Sequence, residues 1–329
     1  MQPIGCTCQA QPNGFVKKFE IGLFEIFLRN RRPRLSFLTM KLFNALILLL
    51  LAFVYVSLAQ QAVAKNPFPA AMETFQIPSH GVGLNALVYV AEGAGPHPVV
   101  LLLHGFPGNE RNLDLAQDIR RAGWDVLYFN YRGSWGTLGN FSFGNSIEDV
   151  ASAVAYLRQL DNAKRLRLDP SKIVVIGHSM GGFMAVQGAA ADPTILAAGL
   201  ISAAGAFDAQ PRSADGDMTF VKRRAAALES QGMAPLAGCT PEGLARETLE
   251  NSSRWAFSSK VEALRSRPVL FITSDDGLAP PNDAFAAALK KAGNTRVTTT
   301  HFATDHSYSD KRLELSAAVR KWLDSVVGK

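Results

Sequence analysis

Residues 173 to 182 read IVVIGHSMGG, an apolar run leading directly into Gly177-x-Ser179-x-Gly181. A serine flanked by glycines in this way becomes reactive when it sits on a sharp turn between a strand and a helix. The strain exposes the hydroxyl, and the absent Cβ atoms let neighbouring backbone close around it. A serine hydroxyl is a weak nucleophile at neutral pH, so it needs a base within hydrogen-bond reach and an acid to orient that base. Six histidines are present. His104 and His178 belong to glycine-rich motifs, His80 and His97 fall in early turns, and His301 lies within a predicted strand. His306, in the loop FATDHSYSD, therefore ranks first as the base. The stretch PVLFITSDDGLAPP offers two adjacent acids at the end of another strand. Asp276, four residues before Pro280, ranks first, and Asp275 stands as the alternative.

A tetrahedral oxyanion needs hydrogen-bond donors aimed at the charge as it develops. The turn at Ser179 directs the Met180 amide and the helix N-terminus towards that position. A second donor is expected in HGFPGN, residues 104–109, where the Phe106 amide follows an apolar strand. In NYRGSWGT, residues 130–137, Arg132 and Trp135 are pocket candidates, the alternative being a tight glycine-bounded turn with a packed Trp.

These residues must be held by a scaffold, and the pattern supplies one. Thr74–Ile77 and Leu84–Val90 read as a hairpin. After it, strands at Pro98–Leu103, Asp125–Asn130, Ile173–Ile176, Ala198–Ser202, Val269–Thr273 and Arg296–Phe302 alternate with helices at Leu113–Ala122, Ser146–Leu160, Met180–Ala191, Asp283–Ala292 and Lys311–Val327. Such alternation builds an α/β architecture, a mainly parallel sheet with helices on both sides. Phe207 to Arg267 breaks the rhythm with helical patterns only, and it is too long for an ordinary connection. It is expected to be a lid.

With HGFPG, GHSMGG and the order Ser179, Asp276, His306 in place, the chain resembles the α/β-hydrolase superfamily over residues 73 to 327. NYRGSWGTLGNFSF followed by Asp149 further resembles prolyl oligopeptidase-like and dienelactone hydrolase-like members. The chain is too short for the N-terminal propeller of the former, and it carries Ser179 where dienelactone hydrolases proper carry cysteine. The resemblance implies the α/β-hydrolase fold and a serine hydrolase with no metal or organic cofactor. Carboxylic esters are the first expectation for substrate, short peptides the second. A non-catalytic binding protein of the same fold is the alternative from another class.

Composition frames this reading. The 329 residues carry a formal charge of +6, but residues 1–64 hold +5 of it, which leaves a near-neutral body and no electrostatic case for nucleic acid. Lys41 followed by the uncharged run Leu42 to Ala59 and the small residues Ala62 and Ala64 has the form of an export leader cut before Lys65. An uncleaved membrane anchor over residues 42–59 is the alternative and would be the sole membrane contact. Residues 1–39 precede that leader as an extension outside the usual signal design: either translation starts at Met40, or the extension is a cytoplasmic tail whose Arg29, Arg31, Arg32 and Arg34 hold it inside. The domain organisation expected is thus 1–39 extension, 40–64 leader, and 65–329 hydrolase domain with its lid at 207–267. Cys6 and Cys8 lie in the extension and Cys239 alone in the body, so no disulfide within the body is expected. The sequence carries no signal for oligomeric state.

Overall fold

The computed structural model describes residues 37–61, 66–205 and 214–328. Two compact units result, Met1–Lys65 and Asn66–Lys329. In the first, one helix, α1 (Phe37–Gln61), spans 25 residues. Its described side chains run from Met40 to Tyr55, all exposed, and among the described residues no helix is long and apolar enough to cross a membrane. The extension up to residue 36, with Cys6 and Cys8, and the expected cleavage site at residues 62–64 lie outside the described residues.

The second unit is one eight-stranded sheet. In chain order the strands are β1 (Ala71–Ser79), β2 (Val82–Val90), β3 (His97–Leu103), β4 (Asp125–Phe129), β5 (Leu168–His178), β6 (Ala197–Ile201), β7 (Val269–Ser274) and β8 (Val297–Phe302). They lie side by side as β1-β2-β4-β3-β5-β6-β7-β8. β2 runs antiparallel to β1 and β4, and every later pairing is parallel. The α/β class and the mainly parallel sheet expected from the sequence are thus observed.

Parallel strands in the middle of such a sheet are covered on both faces, so they read as unbroken apolar runs. Along β3, Val99, Leu101 and Leu103 join one core cluster while Val100 and Leu102 join the other. Ile173 and Val175 of β5 alternate with Val174 and Ile176 in the same way. Each such side chain contributes about 2 kcal/mol by leaving water. The first face is covered by α3 (Phe143–Arg158) and α5 (Met180–Ala191), through residues such as Val150, Val154 and Phe183. The second is covered by α2 (Leu113–Arg121) and the C-terminal Arg312–Val327 helix, through Leu115, Ile119, Val319 and Trp322.

Two elements depart from expectation. A short helix, α4 (Leu160–Leu166), follows α3 after a break at Gln159, and β5 begins at Leu168, five residues early. Both lie in a polar stretch whose conformation is set by tertiary contact: the Arg167 guanidinium donates to the carbonyls of Pro69 and Ala91. Between β6 and β7 the described residues form a segment termed the cap, with helices α6 (Ala214–Ser230), α7 (Pro241–Glu250), α8 (Ser252–Trp255) and α9 (Val261–Leu264) and a 3-10 turn at Phe257–Lys260, joined by turns and loops. Residues 206–213, where the expected lid begins, lie outside the described residues. Then come α10 (Ala279–Lys291) and, after β8, α11 (Arg312–Val327).

Candidate active site

The nucleophile turn forms because four backbone segments must meet where β5 ends. Ser179 takes φ 58° and ψ −120° between β5 and α5, a conformation that costs a non-glycine residue about 1–3 kcal/mol. Surrounding contacts hold it there: its amide donates to the Ile201 carbonyl at 2.8 Å and its carbonyl accepts from Ala204 at 2.9 Å. A Cβ at Gly177 would stand 1.9 Å from the Gly181 oxygen, and one at Gly181 would stand 2.0 Å from the Leu103 oxygen. Any side chain at either position would therefore force the turn open.

His306 and Asp276 arrive from the carboxyl ends of β8 and β7, the edge where open α/β sheets place their sites. His306 Nδ1 lies 2.7 Å from Asp276 Oδ2. A carboxylate accepts only, so Nδ1 carries a proton, and in the neutral ring Nε2 is the basic nitrogen. Asp276 is 5% exposed, and its Oδ1 accepts from the Leu278 amide at 2.8 Å. Burial by itself would raise this carboxyl, but hydrogen bonds from His306, Ser202, the Leu278 amide and Ser274 hold it below the ordinary range. His178 steadies the loop from below: its Nε2 donates to the His306 carbonyl at 2.8 Å and the two rings lie 4.5 Å apart. Burial, followed by the charge of His306, lowers the His178 pKa to about 4, so His178 stays neutral.

Ser179, His306 and Asp276 line one cavity of about 270 Å³ together with Met180 and Phe106. The amides of Met180 and Phe106 donate to no turn or loop carbonyl among the described residues. Gly105 brings the Phe106 loop against the serine, since a Cβ on it would lie 3.0 Å from Ser179 Cβ. Apolar walls come from Phe143, Phe183, Leu228 and Leu278, and the cap adds Arg224 and Gln231. A larger open cleft of about 460 Å³ along β1, β2 and β4 contains none of the three chemical residues. Among the described residues no group of three or more His, Cys, Asp or Glu could hold a metal.

The structure places the remaining sequence candidates elsewhere. Asp275 is 63% exposed and pairs with His301 at 3.1 Å, outside this cavity. Arg132 is corrected from pocket candidate to buried ion-pair partner. Its Nε lies 2.6 Å from Asp149 Oδ1, and its Nη2 reaches Glu148 at 2.6 Å. The reason is topological: once the chain leaves β4, α3 brings its own carboxylates under the guanidinium before the cavity is reached. Trp135 is likewise one layer back from the cavity, with φ 49°. Its indole N–H donates to the Pro107 carbonyl at 2.8 Å, bracing the loop that carries Phe106, and its own amide donates to Pro235 of the cap at 3.0 Å. Sequence reading missed Phe143, Phe183, Leu228, Leu278, Arg224 and Gln231. The cap residues had no local signal, because only the folded cap brings them over Ser179.

Comparisons with known proteins agree with this fold. A solved structure from work on two fungal esterases of Rhizomucor miehei superposes with a TM-score of 0.59 at 19% identity, covering 82% of this chain and 88% of that one. An esterase of Pyrobaculum calidifontis gives 0.57 at 21% identity, covering 84% and 92%. At such identities the likeness is one of fold. The quorum-quenching protein AidA of Acinetobacter baumannii (strain MDR-ZJ06) is 28% identical over 138 residues, 40% of this chain and 44% of that protein's length. Residues 100–319, from within β3 to the middle of α11 and including every residue of the site, match the alpha/beta hydrolase family, and the chain belongs to that family.

Proposed function

We propose that this protein is a serine hydrolase that cleaves carboxylic esters through an acyl-enzyme on Ser179. The observation that carries the reading is the strained Ser179 in one cavity with a His306 whose Nδ1 is engaged by buried Asp276. His306 Nε2 takes the Ser179 proton as Oγ attacks the ester carbonyl, and Asp276 stabilises the imidazolium that results. The Met180 and Phe106 amides receive the oxyanion. Collapse breaks the bond to the alkoxide, which leaves with the proton from His306. Water, deprotonated by the same Nε2, then attacks the acyl carbonyl and returns Ser179 to its starting state.

Esters are favoured over amides because an alkoxide leaves more readily than an amine, and because this small cavity suits a compact acyl group. Labelling with a fluorophosphonate probe tests the reading: the protein should label, and Ser179→Ala should not. No labelling, or equal labelling of the variant, overturns it and favours a ligand-binding role. Hydrolysis of aminoacyl amides in preference to nitrophenyl esters would replace the esterase by a peptidase.

Residues 40–64 are proposed as an export leader cleaved before Lys65, one residue ahead of the division between the two units. Mass spectrometry of the native protein should give Lys65 as its first residue and no peptide from residues 1–30. A retained residue 42–59 segment in the membrane fraction would establish the anchor instead.

A further inference from the structure

Arginine side chains inside this domain are provided for. Arg132 has Asp149 and Glu148, Arg312 has Asp114 and the Asn112 side chain, and Arg167 and Arg267 donate to backbone carbonyls. Arg224 is the exception. It projects from α6 into the cavity wall beside Leu228, one turn further along the same face. Its Nε is buried and has no hydrogen-bond partner. No ion pair among the described residues includes it, and burial lowers its pKa.

Neither the acid on the same cavity nor the one further back on the same helix pairs with it among the described residues. Asp276, on the same cavity, is held by His306 and the Leu278 amide. Asp217 lies two turns back along α6, about 10 Å away by the helical rise, with its own Oδ1 buried and unpartnered. A half-desolvated cation without a counter-ion is costly. In a substrate cavity, that cost is removed when the substrate itself brings the anion. The guanidinium offers paired N–H donors that match a carboxylate in geometry as well as charge.

Resting on the serine esterase reading above, we propose that Arg224 binds a carboxylate on the substrate, so that the enzyme selects esters whose acyl part ends in a free carboxylate. The carbonyl at Ser179 and the carboxylate at Arg224 are then the two fixed points of the substrate, and the apolar walls from Phe143, Phe183 and Leu228 take the methylenes between them.

The test compares monomethyl esters of four- to six-carbon dicarboxylic acids with methyl esters of monocarboxylic acids of equal chain length, followed by pH-stat. The wild type should show a kcat/KM ratio of at least ~10 in favour of the anionic ester, and Arg224→Met should lower that ratio by ~10- to 100-fold, chiefly through KM. Arg224→Lys, which keeps the charge and loses the fork, should fall between them. Fluorophosphonate labelling of each variant reports that the fold and Ser179 are intact, and Arg224→Gln gives the same comparison if Arg224→Met does not label. A ratio unchanged in a variant that still labels, or a wild-type preference for the neutral ester, overturns the role of Arg224 alone. A wild type that neither labels nor hydrolyses either ester overturns the esterase reading itself.

Discussion

Two histidine–aspartate pairs stand at the carboxyl edge of the same two strands, built from neighbouring acids, and they differ in almost everything that matters chemically. His306 and Asp276 meet at 2.7 Å with the acid 5% exposed, whereas His301 and Asp275 meet at 3.1 Å with the acid 63% exposed. Consecutive residues at the end of a strand point to opposite sides, so one acid turns inward to the cavity and the other to solvent. The inner acid accepts from Leu278 and sits beside Ser202 and Ser274. The outer pair has water around it, where an ion pair is worth little. The sequence already ranked His306 above His301 by its place in a loop; desolvation and the surrounding hydrogen bonds separate the two pairs in the fold.

The sharpest way to break that contrast is to remove each histidine in turn. His306→Ala should lower kcat on a nitrophenyl ester by about 10⁴-fold or more, and His301→Ala should change it less than about twofold. Comparable losses from both would mean that the outer pair takes part in the reaction. One step down in size, Asp276→Asn should cost about 10²- to 10⁴-fold in kcat by releasing the tautomer of His306. Asp275→Asn serves as its control, and a larger effect at Asp275 would reverse the assignment of the acid.

Stability against pH sharpens the contrast from the inside. Burial lowers both His104 and His178 to about 4. In the unfolded chain these histidines protonate near pH 6.5, while in the folded protein they stay neutral until about pH 4. Their contribution is therefore complete above pH 6.5 and is lost as the pH falls towards 4, on the order of 3 kcal/mol for each. The Tm should fall across that window, and the slope should be shallower in His178→Asn than in the wild type. An unchanged slope in His178→Asn would contradict this account.

The smallest expected effect tests the bracing behind the oxyanion donors. Trp135→Phe keeps the ring and removes the N–H that reaches Pro107. It should lower kcat by about threefold to tenfold with KM little changed, as the loss of one neutral hydrogen bond worth about 1 kcal/mol would. A change confined to KM would instead place Trp135 in substrate binding.

How much of this could be read beforehand depended on where each residue gets its environment. The interior strands were legible because burial on both faces leaves an unbroken apolar run, as in Val99 to Leu103. Ser179 was legible because its strain requires glycines at fixed spacing. Arg132 was misread for a physical reason: a cation in a loop at the right edge of the sheet looks like a binding group until the fold brings Asp149 beneath it. Arg224 and Gln231 carried no signal at all, since what faces the cavity from a cap depends on how the cap docks. The resemblance to prolyl oligopeptidase-like members rested on the Asn130–Phe143 stretch, and in the structure that stretch serves as the docking edge for the cap.

That edge has a consequence for how the molecule can change. Ser134 pairs with Leu236, Ala237 donates to Gly133 and accepts from Phe141, and the Glu247 carboxylate accepts from the amides of Phe143 and Gly144. Trp135 joins the same seam to the Pro107 loop. The cap is therefore a part with a fixed socket. A foreign cap grafted for a new substrate would have to bring matching backbone at 235–237 and an acid at 247, or the loss would be felt in turnover before it was felt in selectivity. Variation at Arg224 and Gln231, which line the cavity from the α6 end of the cap, touches none of these bonds, and it is there that substrate range is free to drift.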